Sequence, residues 1–430
     1  MTAQDYIISF LLGDEKLEKY VQYGNINDKP EAKIIIVPSS FFNREVFGTK
    51  ESMPRTPFEN IPDTNIPFLF GESKIEYNEK GCILLYVDLV ASAFFLLSRY
   101  EEIIKTNCRD EHGRFLSKYS IIYQQGYGLR PLVDEWGYYL RELLRTVNVE
   151  VQPEIKGFKK IYLTHDVDSP FLFYRKNQVI KQWVKNLIHH GRKIDKPLYK
   201  YNHPEDDPHN TFDKIIETDT WLESKYEKGI VESIYFIIAA GTKKSKSYCN
   251  IELKKFQDLI KKLNYSNATL GLHVSYEAGG KPELIYSEMT RLLEKCPNSC
   301  KKSRHHFLRW TEPEHIELME KAGITDDFSL GYADSVGFRV GTCKPYRFIN
   351  PKTLKISNVI IHPMEIMECS LDRKIYMGLD YEKAKQICKK IIDEVYKNHG
   401  ELNILWHNNS FIQEYHDNLY KELLKYISII

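Results

Sequence analysis

The chain reads as an α/β protein whose C-terminal part is built on a parallel sheet. Three observations lead there. After about residue 155, β-prone runs alternate with helical stretches of ten or more residues, the rhythm of βαβ units, with roughly six or seven strands in all. The first of those runs, Ile161 to Leu163, passes directly into Thr164, His165, Asp166 and Asp168, so that a strand ends in two carboxylates. Finally, 430 residues suffice for about two or three domains with a sizeable buried core.

The elements follow in chain order. Ile34 to Val37 reads as a strand closed by Pro38 and Ser39, and TPFENIPDTNIPFLFG as a loop punctuated by Pro and Asn as far as Gly71. GCILLYVDLVASAFFLLSRYEEIIK runs from a buried strand into a helix whose apolar density marks it as largely covered, with Arg99, Glu101 and Glu102 as a solvated or ion-paired polar end. His112 and Gly113 mark a turn, and an amphipathic helix runs from Asp134 to about Leu144. A polar insertion extends from about Phe171 to Pro208; its adjacent His189 and His190 cannot both face one way on a helix and are set aside as ligands. Further helices are expected over NTFDKIIETDTWLESKYEKG, capped by Asn210 or Thr211 and stopped at Gly229, over LKKFQDLIKKL, ELIYSEMTRLLEK, HIELMEKAG and YEKAKQICKKIIDEVYKNHG, and from Glu414 to about Tyr426. VESIYFIIA, ATLGLH, a short strand-turn from His305 to Trp310, ISNVIIHPMEI and LNILW supply the intervening strands.

Composition narrows function mainly by exclusion. Lys and Arg number 60 against 59 Asp and Glu, a formal charge of +1, which argues against an electrostatic nucleic-acid binder. No apolar run approaches the ~20 residues that cross a bilayer, and MTAQDYIISFLLGDEKLEKY lacks the basic lead-in of a secretory signal, so the expected location is cytoplasmic, with no membrane partner. The eight cysteines are scattered. Only Cys296 and Cys300 lie close and no second pair answers them, so reduced structural thiols are expected rather than a metal knuckle or disulfides. The 29 tyrosines suit sugar faces and protein cores equally.

Chemistry concentrates at strand ends. Two acids two residues apart repel unless one meets a cation and the other takes or holds a proton; standing alone, Asp166 and Asp168 equally form an Asx-type turn before Pro170. His273 ends ATLGL and His407 closes LNILW. Imidazole is a common ligand for zinc, although either histidine alone equally serves as a core residue bonded to a backbone carbonyl, and Arg304 alone as a surface arginine. Taken as a set, THDVD at the first strand, His273 in GLHVSYEAG, Arg304 in SRHHFLRW and His407 in LNILWHNN resemble the polysaccharide deacetylases, the NodB-like carbohydrate esterases. ASAFFLLSRYEE, DEHGRF and RPLVDEW resemble the accessory domain that precedes the deacetylase unit in a group of bacterial proteins, especially from Bacteroidetes.

The resemblance implies a distorted (β/α) barrel over residues 153–430, preceded by a smaller α/β accessory domain over residues 1–152, with active groups gathered at the carboxyl ends of the strands. It implies Asp166 as general base, Asp168 and His273 as metal ligands, Arg304 as the group that orients Asp166, and His407 as general acid. Asp327, or Asp326 beside it, is implied as the partner that sets the tautomer of His407. One position departs from the pattern: the family's second motif has two histidines four residues apart, and here the later one is Glu277. Glu277, His305, His306 or water could complete the shell; His306, two residues after Arg304, restores an Asp-His-His set. Asp334, Arg339, Gly331, Gly337 and Gly341 form a polar, glycine-rich segment that either lines the substrate pocket or is an ordered loop. The implied activity is hydrolysis of a carbon–nitrogen amide bond, removing an acyl group, N-acetyl foremost, from a sugar or oligosaccharide with zinc, cobalt or nickel as cofactor. The alternatives are a carbohydrate-binding or assembly protein on the same fold, and a hydrolase of a non-sugar amide.

Overall fold

In a computed structural model, which describes all residues except 25–28, 80, 174–178, 182–183, 185–196 and 241–250, two sheets of unequal size organise the chain. The smaller has four strands in the order β1-β2-β4-β3: β1 (Val21–Tyr23), β2 (Ile34–Ile36), β3 (Gly71–Tyr77) and β4 (Ile83–Val87). Its centre is formed by β2 and β4, parallel to each other and almost wholly apolar. Helices Ala3–Leu12, Leu89–Leu97 and Leu132–Thr146 share one apolar core with them. Every residue of Leu89–Leu97 is buried, as its unbroken apolar text requires. The helix Ala3–Leu12 and strands β1 and β3 stand outside the sequence expectations; β1 has only three residues and β3 is mostly exposed and polar, so neither carries a periodic signal.

The larger sheet has nine strands: β5 (Lys160–Val167), β6 (Val231–Ile238), β7 (Thr269–Val274), β8 (Lys302–His305), β9 (Asp326–Asp327), β10 (Tyr346–Ile349), β11 (Ile356–Ile361), β12 (Ile366–Met367) and β13 (Glu401–Leu405). Their order is β10-β11-β9-β8-β7-β6-β5-β13-β12, and all neighbours are parallel except β10 and β11. The sheet curls into a half-barrel whose edges are β10 and β12. Nine strands exceed the six or seven expected because β9 has only two residues and for two further reasons. ISNVIIHPMEI divides at Pro363, which has no N–H to give a ladder, into β11 and β12; and β10 is a four-residue run with no clear alternation. The central strands β5 and β6 are buried at nearly every position, the pattern of a parallel sheet covered on both faces. The helices at 212–223, 254–265, 285–295, 316–321, 381–397 and 414–427 lie on the expected segments. The first ends at Glu223, short of the expected stop at Gly229, and its N-cap Thr211 makes no side-chain cap bond. His189 and His190 lie outside the described residues.

The two parts of the chain are joined by buried polar contacts. Of the two readings of the polar helix end, solvated or ion-paired, the second holds: Arg99, Glu101 and Glu102 are all buried, with Arg99 paired to Glu102 and Lys105 to Glu101. Glu102 accepts from Arg99 Nε at 3.0 Å and from Nη2 at 2.6 Å, and from Arg339 Nη2 at 2.6 Å. Burial works against the charged Glu102, but Arg339, Arg99 and Arg109 outweigh it and hold the carboxyl down at about 2. The glycine-rich segment is likewise an ordered joint. Phe338 N–H donates to Gly128 O at 2.9 Å, Val133 N–H donates to Gly341 O at 2.7 Å, and Asp334 accepts from Ser117 N and Oγ at 2.8 and 2.9 Å. Gly337 (φ 121°) lies so close that a Cβ there would sit 2.3 Å from Gly128 O, so only glycine allows this approach. All seven described cysteines are free thiols, and no helix among the described residues is long and apolar enough to cross a membrane.

Replacing Glu102 with Gln leaves Arg99 and Arg339 buried without a counter-charge, and urea denaturation at pH 7 is expected to show a loss of about 3–5 kcal/mol. Because the folded carboxyl is held below its ordinary 4.5, its stabilisation is present above that value and disappears as pH falls through about 2. The gap between wild type and Glu102→Gln should therefore close only in strong acid.

Candidate active site

The parallel register determines where the polar groups meet. Val167 pairs with Ile237, and Ile238 with His273, so Asp168, the residue after Val167, arrives level with His273 across β6. His273 in turn pairs with Arg304 on β8. Small residues, Ala239 and Ala240, follow β6 between them. Asp168 Oδ1 lies 2.9 Å from His273 Nε2, and Asp168 Oδ2 lies 3.4 Å from His306 Nε2. Ligand atoms of Asp168, His273 and His306 all fall within 4.8 Å of one another. This is a span that bonds of about 2 Å from a shared ion can bridge.

Two features show that these residues suit a cation. Asp168 Oδ1 and His273 Nε2 are buried, yet neither makes a hydrogen bond of acceptable geometry; orphaned polar atoms at such depth are costly and mark a missing partner. His273 Nδ1 is 3.0 Å from Arg304 O; this carbonyl can only accept, so Nδ1 carries a hydrogen and Nε2 is the ring nitrogen that faces Asp168. Burial opposes the ionised form of Asp168, but His306 and His273 outweigh it and hold the carboxyl well below the usual carboxylate range. The carboxylate is thus present in the form that binds metal.

Asp166 stands beside this set and is kept from rotating. Arg304 Nη1 donates to Asp166 Oδ1 at 3.2 Å and to Thr164 Oγ1 at 2.7 Å, its Nε donates to Phe328 O at 3.0 Å and its Nη2 to Asn403 Oδ1 at 3.2 Å. The guanidinium is completely buried, 4.7 Å from the centroid of Phe236. Asp166 Oδ2, 3.5 Å from His273 Nε2, is the oxygen turned toward the ligand set.

His407 follows β13 and presents Nε2 3.6 Å from Asp168 Oδ2. Its partner is Glu368 and not Asp327. Glu368 Oε1 lies 2.7 Å from His407 Nδ1 and also accepts from Ser410 Oγ at 2.7 Å. Burial opposes charge on His407, but Glu368, with Cys369, outweighs it and raises the imidazole well above the ordinary histidine range; the same contact holds Glu368 at about 2. Asp327 is committed elsewhere, accepting from Ser303 Oγ at 2.8 Å and from Ser329 N and Oγ at 2.9 Å each. It therefore braces β8 against the next loop. Asp326 pairs with His362 at 2.9 Å. His305 is also turned away, with Nδ1 3.0 Å from Ser329 Oγ and its ring stacked on Trp310. Glu277 is not part of the clustered ligand set.

A cavity of about 100 Å³ opens over this arrangement, lined by Asp166, Asp168, His306, His407 and, from the N-terminal part, Arg114. Glu368 and Arg114 were assigned no role from the sequence. The signal for Glu368 was available: like Asp168, it is an acid directly after a short strand, in MEIMECS. Arg114 had none, because the contacts that bring it to the cavity, Phe307 and Tyr376, are more than 190 positions away. His306 sits on an unusual turn, in which Phe307 (φ 63°) and Leu308 (φ 53°) are consecutive left-handed residues. Each costs about 1–2 kcal/mol without glycine.

Residues 7–149 match a family model described as a family of unknown function, DUF7033. No curated protein matches the chain. A solved structure described as "putative polysaccharide deacetylase from Mycobacterium smegmatis" aligns with a TM-score of 0.41 and 10% identity, covering 65% of this chain and 90% of that one.

Replacing Asp168 with Asn removes the anionic ligand while keeping its shape. Metal analysis of the purified protein by mass spectrometry is expected to find about one divalent ion per wild-type chain and background levels in Asp168→Asn. His305→Gln should retain the ion, since His305 points to Ser329.

Proposed function

We propose that this chain is a metal-dependent hydrolase that removes a small acyl group, most simply acetyl, from an amide nitrogen of a carbohydrate. The observation that carries the reading is the convergence of a carboxylate–imidazole–imidazole set with a restrained second carboxylate and a carboxylate-backed histidine around one cavity. The sugar portion of the reading comes from the motif set in the sequence. A divalent ion held by Asp168, His273 and His306 supplies polarisation of the acyl carbonyl and acidity to an adjacent water.

The chain's own residues do the remainder. Asp166, with Oδ1 occupied by Arg304, takes the proton of the attacking water on Oδ2. As the water oxygen bonds to the carbonyl carbon and the carbon–nitrogen bond breaks, His407 delivers a proton from Nε2 to the departing nitrogen. Its Nδ1 stays anchored on Glu368, whose charge stabilises the imidazolium. The products are a carboxylic acid and an amine. Arg304 touches no substrate; it positions Asp166. The cavity is small, about 100 Å³, which suits a small acyl group inside, with the rest of the substrate beyond the mouth.

Zinc-loaded wild-type protein is expected to release acetate from N-acetylglucosamine oligomers, with kcat reduced ~10²–10⁴-fold in Asp166→Asn and in His407→Gln while bound zinc is unchanged. Absence of acetate from the loaded wild-type protein sinks the hydrolase reading. Release from simple N-acetyl amides but not from sugars moves the substrate to the non-carbohydrate class.

A further inference from the structure

The ligand set is secured unequally. Asp168 directly follows β5 and His273 lies within β7, two central strands of the large sheet. His306 instead follows the end of β8 and enters the left-handed pair Phe307–Leu308. That turn is contacted by Tyr276, whose ring lies 5.6 Å from that of Phe307, and from the N-terminal part by residues 110–116. Arg114 Nη1 donates to Phe307 O at 3.3 Å, and its Nη2 donates to Tyr376 Oη at 3.1 Å. Asp110 aligns the arginine, accepting from its backbone N and its Nε at 2.8 Å each. His112 lays its ring 4.9 Å from that of Phe307, and its carbonyl accepts from Arg309 Nε at 2.8 Å. Leu116 shares a small apolar cluster with Leu308. The Phe307 carbonyl and the side chains of Phe307, Leu308 and Arg309 are thus all held from a distant stretch of chain.

We infer that Asp110, His112 and Arg114 are positioning residues for His306, so that the N-terminal part sets the metal affinity of a site whose ligands all lie in the C-terminal part; this rests on the metal reading of Asp168, His273 and His306. The physical reason is that an unfavourable backbone conformation persists only where its surroundings over-determine it. Releasing the clamp lets the turn relax and carries the imidazole away from Asp168.

The test uses the full chain and its Arg114→Gln and His112→Ala variants, with zinc affinity measured by competition against a chelating dye and ligand geometry by the visible absorption of the cobalt-loaded protein. Arg114→Gln is expected to bind zinc ~10–100-fold more weakly, with an altered cobalt spectrum, and His112→Ala to shift both in the same direction by less. A purely structural role would lower the melting temperature of the metal-free protein and leave the affinity of the folded molecules intact. Wild-type affinity and spectrum in folded Arg114→Gln overturn the inference while leaving the metal reading standing. If that variant does not fold, His112→Ala decides in the same way. A wild-type chain that takes up no zinc overturns both.

Discussion

The close approach of Asp168 Oδ1 to His273 Nε2, 2.9 Å without a hydrogen bond, is the constraint on which the rest of the site depends. The two atoms make a buried ion-pair contact without hydrogen-bond geometry, and an imidazole whose other nitrogen is already bonded to Arg304 O cannot turn to improve it. The sheet enforces the meeting through its register, since Asp168 and His273 stand level on either side of β6. Arg304, one strand further, reaches back beneath them to Asp166, Thr164 and Asn403. A single buried cation thereby fastens three strands together. The two carboxylates are held differently: Asp166 is positioned by Arg304, and Asp168 faces the two imidazoles.

A second buried cluster performs the same service for the molecule as a whole. Glu102 from the N-terminal part lies between Arg99 and Arg339, and the segment that supplies Arg339 is threaded with glycines pressed against Gly128, Leu96 and Val133. Burying charge is tolerable only with full pairing, so this joint ties the two parts in one arrangement. The turn after His306 is fastened by the same side of the molecule, through Arg99 to Trp310 O at 3.0 Å and through Arg114 to Phe307 O. The join between the parts and the wall of the cavity are therefore continuous.

Much of the large sheet was readable because its central strands are apolar runs bounded by helices of clear period, as in VESIYFIIA before β6 ends and LNILW at β13. Strand ends were readable for the same reason: where an apolar run stops in Asp or His, the polar group sits at the rim where parallel strands open. Short elements escaped. The two-residue β9 and β12 and the exposed β3 exist through their neighbours, with too few residues to show a period. The same limit explains Asp327. The motif resemblance implied it as a partner for His407, but a hydroxyl on either side of it, Ser303 and Ser329, takes its oxygens, and Glu368 is the acid bonded to the histidine.

By itself the amino-acid sequence determined the alternation of strand and helix and the positions of Asp166, Asp168, His273 and His407 at or next to strand ends, because these are properties of neighbouring residues and of local period. Only the tertiary structure decided that Glu368 backs His407, that His306 rather than His305 faces Asp168, and that Arg114 reaches the turn between them. Those outcomes depend on the order of strands in the sheet and on contacts between residues far apart in the chain, and spacing along a sequence carries no information about such distances until the chain has folded.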